Sequence, residues 1–183
     1  MPLESLLHAG WQPSLLFYNP NIQPETEYQR RLATMSGYLA TIGLSLQVGP
    51  YDVELWEEKV GVFGGPYPLI KGAEDYEVMK EAKKRRCRAC YDLRFGALAD
   101  YAETIGSRHL EATISISPYQ FTQEVLEALG KNATARGLES LGTDWRAQYQ
   151  DSVNRSRSLA LYRQKYCGCR FSQEEADLER MKI

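Results

Sequence analysis

Apolar positions along the chain switch between two periods, one suited to strands and one to helices. The run Ser14–Tyr18, stopped by Asn19-Pro20-Asn21, predicts a short buried strand that ends in a turn. A helix should follow. Pro24 suits a first turn, Glu25 and Glu27 suit its positive end, and Tyr28, Leu32, Met35, Leu39 and Ile42 recur at helical spacing until Gly43. Leu44–Val48 alternates like a strand and stops at Gly49-Pro50, and Asp52 is placed to cap a short helix reaching about Val60. Gly61–Gly72 holds four glycines and two prolines, which predicts a loop.

The charged stretch Ala73–Arg86 predicts the beginning of another helix. From Cys90 onward Leu93, Ala97, Leu98, Tyr101 and Ile105 form an apolar stripe that ends at Gly106. The β-branched alternation of Thr113, Ile114 and Ile116 predicts a strand over His109–Ile116, and Ser117-Pro118 ends it before a helix over Thr122–Arg136. Gly137–Leu141 is a weaker strand candidate, Asp144 caps a helix to about Leu159, and the charged tail Ser172–Ile183 is a further helical candidate. This alternation favours an α/β fold, a mainly parallel sheet flanked by helices, with ligands beyond the carboxyl ends of the strands. At 183 residues a single domain over 1–183 is expected, with 171–183 as its charged tail.

Composition narrows the classes. Apolar residues are 43% and charged residues 25%, near the average for globular chains, so disorder and fibrous folds are not supported. No apolar run approaches the roughly 20 residues of a membrane span, and no export signal precedes the first helix, so a cytoplasmic, reducing setting is expected. With 22 basic and 24 acidic residues the net charge is −2. Nucleic-acid binding through overall positive charge is therefore excluded, but a local basic patch is not.

Cysteine spacing carries the chemistry. Four cysteines without an export signal point to metal ligands or redox thiols rather than a disulfide framework. Cys87-Arg-Ala-Cys90 puts two thiols one turn apart, at the expected start of a helix, where the dipole and flanking cations favour thiolates. Lys80, Lys83, Lys84, Arg85, Arg86 and Arg88 supply six cations in nine residues against one acid, Glu81, a setting suited to an anion or an RNA backbone. The plain alternatives are a pair of buried small hydrophobes and a solvated charged helix face.

In Cys167-Gly168-Cys169 the glycine lets both sulfurs face one centre or each other. A disulfide there closes a very small ring and is easily reduced, which suits a redox role. Cys90 and Cys167 are separated by 76 residues, so only the fold can bring the pairs together, and a small local zinc finger is disfavoured. A tetrahedral zinc site and an iron–sulfur cluster both stay open. His8 has no partner pattern and His109 opens an expected strand, so both read as structural.

Four segments in order, Leu16-Phe-Tyr-Asn-Pro-Asn-Ile22, Arg86-Cys-Arg-Ala-Cys-Tyr-Asp-Leu-Arg94, Thr113-Ile-Ser-Ile-Ser-Pro-Tyr119 and Leu161-Tyr-Arg-Gln-Lys-Tyr-Cys-Gly-Cys169, resemble the QueH family of epoxyqueuosine reductases. The resemblance covers nearly the whole chain except its charged tail. It implies an oxidoreductase that reduces epoxyqueuosine to queuosine in the anticodon of tRNA, the last step of queuosine synthesis. It also implies a fold like the adenine-nucleotide α-hydrolase (Rossmann-like) group, a 4Fe–4S iron–sulfur cluster with an additional iron as a further option, and a separate electron donor. Cys87 and Cys90 match two cluster ligands by position, and Cys167 and Cys169 match a redox-active pair. Lys83, Lys84, Arg85, Arg86, Arg88 and Arg94 are the expected tRNA phosphate contacts.

One departure accompanies the resemblance. Family members open with a strand leading to a Cys-Cys-x-Pro-Cys motif, whereas this sequence begins with Leu3–Gly10, which reads as the end of the helix that follows the motif. The first strand and two cluster ligands are thus expected to be missing, which leaves open whether these residues alone are active. The competing class is a non-catalytic zinc-thiolate protein that binds RNA or acts as a scaffold. A metal-free thiol-disulfide oxidoreductase is the third, and it leaves one cysteine pair unexplained.

Overall fold

The computed structural model describes residues 1–181. The chain opens with helix α1 (Pro2–His8), then strand β1 (Leu16–Phe17), helix α2 (Glu25–Thr41), strand β2 (Gln47–Val48) and helix α3 (Val53–Lys59). A long helix α4 (Tyr76–Thr104) leads to strand β3 (His109–Leu110), helix α5 (Thr122–Thr134) and strand β4 (Glu139–Ser140). Helices α6 (Tyr149–Ser158) and α7 (Arg170–Met181) complete the order. Asp52 caps α3 as its position suggests, its carboxylate accepting from the Leu55 amide at 2.8 Å. The helical tail is α7, and its last two residues lie outside the described residues.

The expected sheet is corrected in extent. The strands are parallel, as expected, but among the described residues they form two separate two-stranded pairs, β1 with β2 and β3 with β4, in place of one larger sheet. Each pair is a strand–helix–strand crossover, through α2 in the first and α5 in the second. The stretch Thr113–Ile116 is a 3-10 turn and not a continuation of β3. Buried Ser115 decides it: its hydroxyl donates to the carbonyls of Ala112 at 3.1 Å and Thr143 at 2.8 Å, a local alternative to ladder bonding. β-Propensity yields here because it reflects surroundings as much as residue type.

Helix α4 is one element of 29 residues, about 44 Å long. Its C-terminal half lays Tyr91, Phe95, Ala99 and Ala102 against Val125, Ala128, Leu129 and Ala133 of α5, with Leu110 of β3 closing the cluster. Burying such side chains contributes roughly 1.5–3 kcal/mol for each large one, which is what fixes α4 on α5. Its N-terminal half has no comparable apolar stripe. There Arg86 and Cys90 are buried, beside Trp56 and Val60 from the α3 region and Phe171 of α7. A third cluster packs Leu3 of α1 on Tyr38 and Leu39 of α2.

Candidate functional site: two cysteine pairs beneath the long helix

The first pair belongs to α4. Spaced three apart, Cys87 and Cys90 project from one side of the helix. The expected helix start is corrected: α4 begins at Tyr76, so Cys87 lies about three turns inside, beyond the reach of the terminal dipole. Neither thiol is biased toward thiolate. Burial pushes Cys87 well above the ordinary thiol range, the other three cysteines add to that, and Arg86 opposes it without prevailing. Burial likewise raises Cys90, against the pull of Arg94 and of the Trp56 indole, whose Nε1 donates to Cys90 Sγ at 3.4 Å.

The second pair sits on a strap, Leu161–Cys169, that runs into α7. Arg31 of α2 clamps it, donating from Nη1 to the Cys167 carbonyl at 2.8 Å and from Nη2 to the Tyr166 carbonyl at 3.2 Å. Glu27 fixes the clamp by accepting from Arg31 Nε at 2.8 Å, and it also accepts from the Tyr162 hydroxyl at 2.9 Å. The Tyr166 hydroxyl donates to the Gln23 carbonyl at 2.7 Å, and the Gln23 amide donates to the Gly168 carbonyl at 2.9 Å. Gly168 is required here: its φ is +134°, and a Cβ would lie 2.9 Å from Ile22 and 3.1 Å from both Arg31 and Asn21.

Cys169 is buried, with a thiol pushed up to about 12 by burial and by Cys167, opposed by Arg86. It shares the cluster of Trp56 and Cys90. The fold thus brings two pairs far apart in sequence within electrostatic reach of one another, and all four cysteines are free thiols. Tyr91 borders them, its phenol driven well above its ordinary value by burial and by Cys87, Cys167 and Cys90, and its hydroxyl donates to Gln120 at 2.7 Å.

Fit to a metal can be judged from the donor set. Cys87 and Cys90 supply two soft donors, but among the described residues no three Cys, His, Asp or Glu side chains converge on one ion. Two buried polar atoms near the thiols have no hydrogen-bond partner: Arg94 Nε, one helical turn after Cys90, and Asn21 Oδ1, on the residue against Gly168. Such orphaned groups are costly unless a ligand meets them. The arrangement fits two ligands of a metal centre without completing one.

The basic run is engaged mostly inside the protein. Arg86 is corrected as a phosphate contact: it is 2% exposed and ion-paired to buried Glu175 at 2.7 Å. Lys83 lies 3.0 Å from Glu175, Lys84 3.0 Å from buried Glu124, and Arg94 donates to Asn19 at 2.8 Å. Arg85 and Arg88 are the exposed members, with Arg88 3.3 Å from Glu124. The sequence reasoning missed Arg31, Glu27, Trp56 and Asn21. For the first two a signal existed, since Glu27 and Arg31 stand four apart on a predicted helix.

These features define an α/β protein with parallel strand pairs and a buried site built from two cysteine pairs. The chain belongs to the family Epoxyqueuosine reductase QueH, which it matches over residues 1–175. It is 32% identical over 166 residues to an epoxyqueuosine reductase QueH of Dehalococcoides mccartyi, covering 91% of this chain and 81% of the relative. A Thermotoga maritima protein of the same name is 30% identical, covering 91% and 88%, and one from Acinetobacter baylyi is 27% identical, covering 98% and 77%. By these relatives the family is one of oxidoreductases. No helix among the described residues is long and apolar enough to cross a membrane.

Proposed function

We propose that the chain reduces epoxyqueuosine to queuosine in tRNA, with Cys167 and Cys169 as the redox-active pair and Cys87 and Cys90 as metal ligands. One observation carries the reading. In a chain of this family the strap and α4 meet so that Cys90 and Cys167, with 76 residues between them, come within electrostatic reach of each other.

Removing the epoxide oxygen as water consumes two electrons and two protons. Oxidation of two thiols to a disulfide releases the same number of each, so the Cys167/Cys169 pair balances the reaction: the C–O bonds break, an S–S bond and a C=C bond form, and water leaves. An external electron donor then reduces the disulfide for the next turnover. The Arg31 clamp and Gly168 hold the backbone of this pair in place. The cofactor that suits Cys87 and Cys90 is an iron–sulfur cluster, which when bound supplies single electrons and Lewis-acid character. Exposed Arg85 and Arg88 are the members of the basic run available to tRNA phosphates.

The test is anaerobic incubation with tRNA bearing epoxyqueuosine and a chemical reductant, followed by mass spectrometry of the digested nucleosides. Queuosine should accumulate with the wild-type chain and not with Cys167→Ser or Cys169→Ser. Conversion by either variant at the wild-type rate refutes the assignment of the pair.

A further inference from the structure

The loop after the Thr113–Ile116 turn carries a residue that packing does not explain. Tyr119 is 82% exposed, although its loop is well fixed: the Ser117 amide donates to the Ile114 carbonyl at 3.2 Å and the Gln120 amide to the Ser117 carbonyl at 3.2 Å. The Tyr119 amide also donates to the Ser117 hydroxyl at 3.3 Å. Behind the ring stands Tyr149, edge-on with centroids 6.2 Å apart and planes at 80°. The contact steadies a ring that otherwise stands open to solvent.

The position of this ring ties it to the thiols. Gln120, the next residue, accepts from the Tyr91 hydroxyl at 2.7 Å, and Tyr91 lies against the cysteine pairs. Positive charge accompanies the ring. Arg163 of the strap acts electrostatically on Tyr149 and is exposed, with no ion-pair partner among the described residues. An exposed, braced aromatic beside an unpaired cation, at the rim of the thiol site, is the arrangement that grips a single-stranded nucleic acid.

The geometry points to Tyr119, braced by Tyr149, as a stacking platform for an unpaired base of the tRNA anticodon loop, with Arg163 on an adjoining phosphate. This rests on the reductase reading above and adds a positioning residue to it. Stacking presents the loop splayed, so that the modified base reaches the thiols while its neighbour is held on the ring.

The test uses the full chain and a synthetic anticodon stem-loop carrying 2-aminopurine at a loop position. Its fluorescence should be quenched on binding to wild type and to Tyr119→Phe, which keeps the ring. Tyr119→Ala should lose the quenching and bind the stem-loop roughly tenfold more weakly, with binding to a duplex RNA of equal charge unchanged. Because Tyr119 is exposed, the melting temperature of the alanine variant should match wild type. Unchanged quenching and affinity in Tyr119→Ala overturn the platform and leave the reductase reading standing. A wild-type chain that binds the stem-loop no better than the duplex overturns both.

Discussion

Replacing Arg86 with Met removes a buried cation while keeping much of the side-chain length, and its effect follows from the groups left behind. Arg86 is 2% exposed and Glu175 1%, joined at 2.7 Å; Arg86 Nη1 also donates to the Gly64 carbonyl at 3.1 Å. The guanidinium lies 4.7 Å from the Phe171 ring centroid and 5.3 Å from that of Tyr67. Burial alone lowers the pKa of Arg86, but the charge of Glu175, helped by its hydrogen bond, leads the effects that reverse it, so the cation is held. Removing one partner of a buried pair costs about 3–5 kcal/mol. Glu175 keeps the Tyr67 amide at 2.9 Å and Lys83 at 3.0 Å, which puts the expected loss near the lower end, about 3 kcal/mol. For a chain of this size that is a fall of roughly 6–12 °C in melting temperature. Urea unfolding of metal-free, reduced protein, followed through the fluorescence of buried Trp56, measures it. The double variant Arg86→Met/Glu175→Leu should recover at least about 1 kcal/mol relative to the sum of the singles, because an apolar pair leaves no stranded charge. A loss below about 1 kcal/mol for Arg86→Met refutes the view that this pair fixes α7 to the cysteine-bearing helix.

Three further outcomes are expected. Gly168→Ala introduces a Cβ 2.9 Å from Ile22 at a φ of +134°, so it should cost about 1–3 kcal/mol and speed hydrogen exchange across residues 161–169; an unchanged strap contradicts the required glycine. The Arg170 hydrogen bond, opposed by burial and helped by Gln23, holds the Glu57 carboxyl below its ordinary value. A lowered folded-state value means this contribution is present above the unfolded carboxyl range, about pH 4.3, and is lost as pH falls through the lower folded value. The stability gap between wild type and Arg170→Ala, under about 1 kcal/mol because both groups are partly exposed, should therefore close on acidification. Glu124→Gln should weaken the hold on Lys84 and Arg88, 3.0 and 3.3 Å away, and strengthen binding to RNA at low salt; unchanged binding shows that those cations do not face the RNA.

Elements with strong periodicity were legible in the sequence. The stripe through Tyr28, Leu32, Met35 and Leu39 is α2, which ends within two residues of Gly43, and Thr122–Thr134 is α5 nearly to the expected boundary. Both parts of α4 were legible as helix, but not their continuity as one element, because its N-terminal half is held by charge pairing and not by an apolar stripe. Lys83 and Arg86 meet Glu175 of α7, and Lys84 meets Glu124 of α5, acids 40 or more residues away that no local pattern connects. The same fact explains why a basic run that looked like a phosphate surface is largely internal. Thr113–Ile116 failed as a strand through one hydroxyl, that of Ser115, bonded to a carbonyl 28 residues on. The cysteine pairs were visible as motifs, but their shared neighbourhood depended on the Arg31 clamp and the turn at Gly168.

The proposed function rests on Cys87 and Cys90 holding an iron–sulfur cluster beside the Cys167/Cys169 redox pair. The most direct measurement is metal and sulfide analysis with a visible spectrum on protein prepared without oxygen, for wild type and for Cys87→Ser and Cys90→Ser. The account predicts iron and sulfide with brown, reductant-bleached absorption in wild type, lost in both variants while the fold persists. Colourless protein holding zinc, or no metal, in all three contradicts it.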